Sequence, residues 1–574
     1  MKQFNHTKSN FTSKIALPLF FAAFLVLGLM IVDDYGISYD EHIQRKHGLI
    51  SFDYINAAFG HPWGEERLVE DECLPDYIYR NYGVVFQLSN LILENVLGLE
   101  DARDWYLLRH LSNFLLFWVA CIFFYKLLYL RFNHWQFALL GTIFLILSPR
   151  IFANAFFNPK DMVLLPWYII SGYTMICFLL RKNTYFAIVH GITTAFVMNA
   201  RIPGLVIFAL TLGFIVLEYL QVRFYAYKPE AVNQSKETTE LAKIAQLVNI
   251  QQPYRLVNTL RLLSIYVVVC ALITFLIWPS LWETPFSSFA YIFSSMSHFN
   301  GGGNNLYYGD WMLPTEVPWH YGLGWMFVTT PIVWFALSLG GVIAVLGLVK
   351  RAIVKRQFYF FHNAKEYVNL ILLGLFLAPL LIIILLKSHL YNGWRHLYFI
   401  YPPFLALGMI ALWQLSQWTK RKDAEKGNRL RQLVLSVTIL MSIGIIGIDM
   451  IKTHPHQNMY FSFVAGGNID ERFDQEYWGL SSKQALEHLL KIDSSAVLKV
   501  KAATWRTKAN RDILPPEDRK RIHFVSFKKA DYFISHHRRK HEFRKFHSNK
   551  HPYNSPIYEI KVEDRVIGGI YKTR

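Results

Sequence analysis

The sequence predicts an α-helical polytopic membrane protein with about eleven transmembrane helices and a small C-terminal α/β domain. Three observations predict it. Of 574 residues, 53% are hydrophobic and only 17% charged, against about 25% charged in soluble proteins. Apolar runs approaching the roughly 20 residues that cross a hydrocarbon core recur along the first 451 residues. Beyond Lys452 the composition turns to Lys, Arg, His and Asp.

The first run, 15–32, follows Lys2, Lys8 and Lys14 and is followed by Asp33-Asp34-Tyr35 rather than a small-residue cleavage site. It reads as a retained signal anchor with a cytoplasmic N-terminus. Segment 82–99 is apolar on one face but carries Gln87, Asn90, Glu94 and Asn95, the pattern of a helix lying in the interface. Further spans are predicted at 105–130, 135–149, 162–180, 185–198, 204–220, 262–278, 323–349, 367–386, 397–415 and 433–451. The domains are then 1–451, with a first external loop at 33–104, and 452–574. Segment 230–252 reads as a polar, helical cytoplasmic connector.

Orientation follows from Lys and Arg. With the N-terminus inside, the loops around Lys126, Arg181, 223–261, 350–356 and 420–431 fall in the cytoplasm, and loop 279–322, which holds no Lys or Arg, falls outside. Eleven spans place the tail outside. Counting 82–99 as a span would reverse every later loop. The tail has alternating runs at 521–527 and 557–562 and about 120 residues, enough for a modest core. The net charge of +18 is therefore read as serving lipid headgroups or a phosphorylated substrate rather than nucleic acid. Four cysteines do not make a disulfide framework, and Cys121, Cys177 and Cys270 sit in apolar runs as small hydrophobes.

Candidate chemistry clusters at outer helix ends. Asp33, Asp34, Asp40 and Glu41 put four carboxylates at one membrane exit. Asp40 reads either as the cap of a helix over 42–59 or as a general base on an incoming hydroxyl or amine. Asp34 is the rival base. Arg150, Lys160, Asp161, Arg201 and the stretch from Lys387 through Arg395 to His396 also fall on the outer side. Outward cations beside spans run against the positive-inside bias and suggest an anion site, for which the arginine fork suits phosphate.

These residues resemble motifs of the membrane-embedded, lipid-phosphate-sugar-dependent glycosyltransferases of the type C fold. The nearer resemblance is to the protein O-mannosyltransferase family (glycosyltransferase family 39), which includes the lipid A aminoarabinose transferases. Tyr39-Asp40-Glu41 is similar to the family's Asp-Glu pair in the first external loop. Asn158-Pro-Lys-Asp161 is similar to a short loop ending in Asp at a span's start. Asn199-Ala-Arg-Ile-Pro-Gly204 is similar to a basic-Gly-Pro turn, with Arg201 in place of Lys. Asn392-Gly-Trp-Arg-His396 before Tyr401-Pro-Pro is similar to the late external motif, and 319–331 adds a weaker match. The resemblance spans about 15–450. Arg80-Asn-Tyr-Gly83 stands where relatives carry His-Pro-Pro, and no lectin-like MIR domain is present.

The resemblance implies a polyprenyl-phosphate sugar donor, and a glycan, lipid or protein acceptor, at the extracytoplasmic face of the bacterial inner membrane. Lys160, Arg201, Arg395 and His396 would hold the donor phosphate. Asp40 would take the acceptor proton, with Glu41 supporting it or touching the acceptor, and Asp161 is a further candidate. Inversion at the anomeric carbon would follow. The scheme needs no metal or other cofactor. The alternatives are a transporter or lipid-linked sugar flippase, which would carry charges deep within spans, and an assembly protein whose tail is the working part.

Three lesser signals are set aside. Gly301-Gly-Gly-Asn-Asn305 lacks the Lys-Ser/Thr ending of a phosphate loop and reads as a flexible external loop. His536, His537, His541, His547 and His551 lie among Arg and Lys and read as a solvated basic face. Trp278, Trp282, Trp311, Trp319 and Trp325 read as an interfacial belt.

Overall fold

The computed structural model describes residues 2–224, 256–297, 303–354, 360–419, 425–538 and 552–573. The predicted connector at 230–252, Gly301 and Gly302 of the glycine loop, and His541, His547 and His551 lie outside the described residues.

Among the described residues, nine helices are long and apolar enough to cross a membrane, and the bent pair Trp135–Ile146 and Pro149–Phe157, which turns by 68°, makes a tenth span if counted as one. The remaining predicted segment is the 17-residue helix Thr184–Ala200, about 26 Å long at 1.5 Å per residue and at the short end of the spanning range. Helices at the rim bury little: 17% of the apolar window is covered in Ser13–Ile31 and in Asn428–Lys452, against 89% in Asp161–Arg181. Apolar side chains left facing outward in such numbers need lipid as solvent. The chain is an integral, multi-pass membrane protein.

Two helix boundaries differ from expectation. The predicted span 323–349 is broken at Thr330-Pro331 into Tyr321–Thr329 and Ile332–Val354, because proline cannot donate the next helical hydrogen bond. The helix after the first span runs Tyr39–Ala58 with Ser38 as its N-cap, so Asp40 sits inside the first turn and is not the cap. The short helix Val85–Val96 turns Gln87, Asn90 and Glu94 inward and leaves Ile92, Leu93 and Val96 exposed. That inverted amphipathicity suits lipid outside and protein within.

The loops at the Asp161 end of the span Asp161–Arg181 converge with the C-terminal domain. A short hairpin, β1 (Asn305–Tyr307) and β2 (Asp310–Met312), pairs antiparallel in the segment before helix Tyr321–Thr329. The C-terminal domain holds a five-stranded mixed sheet in the order β4-β3-β5-β7-β6, from β3 (Leu498–Ala502), β4 (Ile522–Phe524), β5 (Tyr532–His536), β6 (Pro556–Val562) and β7 (Arg565–Lys572). β3 pairs parallel with β4 and β5, and β7 pairs antiparallel with β5 and β6. Helix Ser481–Ile492 covers one face, putting Ala485, Leu486 and Leu489 against Val500, Ile534 and Ile570. The preceding linker belongs to the other core: Phe461, Phe473, Tyr477 and Trp478 pack with the membrane helices.

Two side readings are corrected. Trp278 and Trp325 are fully buried rather than interfacial, while Trp311 and Trp319 are exposed. His536 and His537 are buried on and beside β5, and burial pushes His536 down to about 3, so neither belongs to a solvated face.

Candidate functional site

The site begins with the turn at Ser38. The Ser38 amide donates to Glu41 Oε1 at 2.6 Å, and the Ser38 hydroxyl donates to the Phe157 carbonyl. The first bond is the return half of a capping box. Glu41 Oε2 lies 2.9 Å from His110 Nε2. Glu41 is thus buried and fully engaged in fixing the helix start, and it faces away from open space. One residue earlier on the same turn, Asp40 points elsewhere, because consecutive helical side chains diverge by about 100°.

Asp40 Oδ2 accepts from Arg395 Nη1 at 2.7 Å. Arg395 Nη1 also stands 3.5 Å from Asp161 Oδ2, and Asp161 Oδ1 is paired in turn with Arg201. Four charged groups from four distant segments thus form a chain, Asp40–Arg395–Asp161–Arg201, the first three buried and Arg201 partly buried at its end. Each is set by local geometry. Asn158 Oδ1 accepts the Asp161 amide at 2.9 Å, starting helix Asp161–Arg181. Arg201 leaves the end of Thr184–Ala200 in an extended conformation before the turn Ile202–Gly204. A Cβ at Gly204 would come within 2.3 Å of the Val197 carbonyl, so only glycine permits that approach. Arg395 begins the 3-10 turn Arg395–Ile400.

Aromatic rings line the cluster. Lys160 Nζ stands 3.9 Å above the Tyr82 ring, and Arg395 lies over Tyr391 and over Trp478 at 5.3 and 4.8 Å. Such contacts hold desolvated cations in place. Tyr82 is carried by Arg80-Asn-Tyr-Gly83, and a Cβ at Gly83 would strike the Asn199 carbonyl at 1.5 Å. The departure from His-Pro-Pro is therefore a close backbone approach here. His396 packs edge-on to Tyr391.

The electrostatics are coupled. Burial would raise the Asp40 carboxyl, but Arg395 beside it, then Lys160 and Arg201, hold it below its ordinary value. Burial lowers Lys160 below the usual ammonium range against the opposing pull of Asp40. Burial pushes Tyr82 up to about 12.

Two apolar grooves open on either side of Tyr82. One is walled by Leu205, Val206, Ala209, Ile382, Ile383 and Leu386, with Arg201, Tyr391 and His396 at its head. The other is walled by Phe86, Leu93, Leu115, Leu116, Val119, Trp167 and Phe196, with Lys160 at its head. The cluster is therefore reached from apolar space on both sides.

Two charges of the sequence reading stand apart. Asp34 is largely exposed and pairs with His454 at 2.7 Å. Arg150 is buried, donates to the Tyr460 carbonyl at 3.0 Å, and lies over Trp325 and Phe461. Tyr82, Tyr391 and Trp478 were not singled out in sequence. Tyr82 lies inside the quoted segment Arg80-Asn-Tyr-Gly83 and Tyr391 adjoins the motif at Asn392, whereas Trp478 lies in the tail, where no pattern pointed to it. Among the described residues, no group of three or more His, Cys, Asp or Glu is close enough to hold a metal ion.

Among solved structures, the chain is similar to the Archaeoglobus fulgidus oligosaccharyltransferase in its apo form, with a TM-score of 0.45 and 10% identity over 90% of this chain and 69% of that one. It is similar to ArnT from Cupriavidus metallidurans in the apo state, with a TM-score of 0.44 and 12% identity over 97% of this chain and 98% of that one. For ArnT bound to undecaprenyl phosphate the TM-score is 0.42 and the identity 10%. No protein-family model matches the chain. No curated protein matches it either.

Proposed function

We propose that this protein is a membrane glycosyltransferase moving a sugar from a polyprenyl-phosphate donor to a glycan, lipid or protein acceptor, at the extracytoplasmic face of the bacterial inner membrane. The observation that carries the reading is the groove headed by Arg201, Tyr391 and His396 beside the Asp40–Arg395 pair. An apolar tail fits such a groove, and a phosphate fits its head.

Charge supports a monophosphate link. Lys160, Arg201 and Arg395 set against Asp40 and Asp161 leave one positive charge, which matches the single negative charge of a sugar phosphodiester. As the bond to the anomeric carbon breaks, the leaving phosphate gains negative charge. Preorganised guanidinium and ammonium groups in a water-poor site stabilise that charge where it develops. Asp40 is ionised across the physiological range, so it orients and accepts the proton of an acceptor hydroxyl or amine. Attack opposite the phosphate inverts the anomeric carbon. Lys160, Arg201, Arg395 and His396 receive the phosphate, Asp161 holds the two guanidinium groups in register, and Glu41 fixes the turn that presents Asp40.

The test is mass spectrometry of envelope glycans and lipids with and without the protein, followed by transfer from a purified polyprenyl-phosphate sugar. A missing modification restored by the wild-type chain supports the reading. Net movement of intact donor across vesicles without transfer would instead establish the flippase alternative.

A further inference from the structure

The C-terminal domain touches both halves of the Asp40–Arg395 pair. Asn510, fully buried, accepts the Ile37 amide at 2.8 Å through Oδ1 and donates to the Ile37 carbonyl at 3.0 Å through Nδ2. Both backbone groups of a residue three before Asp40 are thus held by one side chain of the tail. Tyr39 lies against Trp505 with ring centroids 5.0 Å apart, and Arg506 sits 4.6 Å from the Tyr39 ring. Lys483 donates to the Asp33 carbonyl at 2.5 Å. A Cβ at Gly36 would come within 2.4 Å of Asn510 Oδ1 and 2.7 Å of the Leu480 carbonyl, so the two segments meet with no slack.

The Arg395 half is held in the same way. Arg538, just after β5, donates to Asn392 Oδ1 at 2.6 Å, and Trp478, in the linker that leads into the domain, lies under the Arg395 guanidinium. Two segments 355 residues apart in sequence are therefore clamped by one domain, and the 2.7 Å pair is the gap between its jaws.

We propose that the C-terminal domain is the jig of the active site, with Asn510 as the positioning residue that sets Asp40 against Arg395. The proposal rests on the glycosyltransferase reading. Asn510 touches neither Asp40 nor substrate; it acts through the backbone of Ile37. A displacement of about 1 Å at a reacting group is enough to cost turnover heavily. Donor binding is spared in an Asn510 variant, because Asn510 holds only the Asp40 jaw. The donor is held by Arg201, His396 and the apolar groove and by Arg395, which the domain holds separately through Asn392 and Trp478. Loosening the pair also weakens what holds the Asp40 carboxyl below its ordinary value, so the acid limb of the rate profile moves upward.

The experiment uses the full-length chain in nanodiscs. Asn510→Ala and the milder Trp505→Ala are compared with wild type in hydrogen exchange of the 37–41 amides, affinity for polyprenyl phosphate, kcat, and the pH profile of kcat/KM. The expected result for Asn510→Ala is faster 37–41 exchange, affinity within twofold, kcat down at least tenfold, and an acid limb shifted upward. Trp505→Ala, a half-exposed site, is expected to follow in the same direction and more weakly. Unchanged 37–41 exchange in Asn510→Ala overturns the clamp. Faster exchange with unchanged kcat and pH profile overturns the positioning role. If Asn510→Ala does not fold, Trp505→Ala decides on the same readouts. A wild-type chain that binds polyprenyl phosphate without transferring sugar sinks the glycosyltransferase reading, and the exchange data still decide the clamp.

Discussion

Arg395 Nη1 lies 2.7 Å from Asp40 and 3.5 Å from Asp161, so one guanidinium bridges a carboxylate of the loop after the first span and a carboxylate at the head of a later span. All three side chains are buried. Breaking such a pair from one side leaves an uncompensated charge in a poor solvent. The desolvation of these charges is offset by their mutual pairing, in which Asp161 faces both Arg395 and Arg201.

Asp40→Asn is expected to keep the fold, since Asn still accepts a hydrogen bond from Arg395. Turnover should fall by about 10²–10⁴-fold, while affinity for polyprenyl phosphate is largely kept. Asp34→Asn should behave as wild type, because Asp34 lies outside the cluster on His454. Steady-state transfer assays on both variants decide. A dead Asp34→Asn beside an active Asp40→Asn would reverse the assignment.

Arg201→Ala and Arg395→Ala each remove a charge-assisted contact to the donor phosphate. The loss is about 1.5–3 kcal/mol per contact, roughly tenfold or more in affinity. Arg150→Ala is the control: its guanidinium serves the Tyr460 carbonyl and two rings, so it should lower thermal stability and leave donor affinity near normal. Titration of each folded variant with polyprenyl phosphate checks this, and equal affinity in all three would remove both arginines from the site.

The helical spans were legible in sequence because length and hydropathy alone specify them, and a tail strand at Ile522–Phe524 fell within a predicted alternating run. The charged cluster was legible in part. Lys160, Asp161, Arg201 and Arg395 each border an apolar run and Asp40 follows one within ten residues, and a charge there is conspicuous. Their mutual pairing was not legible, since it depends on how four loops converge. Glu41 shows the limit best: beside Asp40 in sequence, it is turned by helical geometry onto Ser38 and His110. The capping role given to Asp40 belongs to Ser38, two residues earlier, because the helix starts at Tyr39. Trp478 and Asn510 carried no signal at all, because a tail residue reaching a loop hundreds of residues away leaves no local pattern.

Sidedness is checked by labelling. Helix Asp161–Arg181 has Asp161 in the cluster and Arg181 at its far end, about 30 Å away at 1.5 Å per residue. In a Cys73→Ser background, which removes the exposed native thiol, Ser526→Cys and Thr184→Cys place single reporters at exposed positions. With the site extracytoplasmic, a membrane-impermeant maleimide added to intact cells labels position 526 and not 184. Labelling of 184 alone would place the cluster and the tail in the cytoplasm.

Glu476 gives a pH prediction from the linker itself. It is fully buried, and one oxygen accepts the Ser481 amide at 2.9 Å while the other has no hydrogen-bond partner. Burial pushes its carboxyl up to about 7, against the lowering pull of the Ser481 and Leu480 hydrogen bonds and of Arg506. The folded state therefore binds a proton that the unfolded state releases near pH 4.3. By linkage, the contribution is fully present below the unfolded value and is lost as pH rises through the folded value, a loss of roughly 3.5 kcal/mol at full extent. Gln in place of Glu476 keeps the acceptor for the Ser481 amide and cannot ionise. Glu476→Gln should therefore match wild type in thermal unfolding at pH 4 and exceed it at pH 8, the gap opening between pH 5 and 7. A gap that is constant with pH would show that burial does not raise the Glu476 carboxyl, and one that opens on the acid side would show that Arg506 and the hydrogen bonds outweigh burial and keep it ionised in the folded protein.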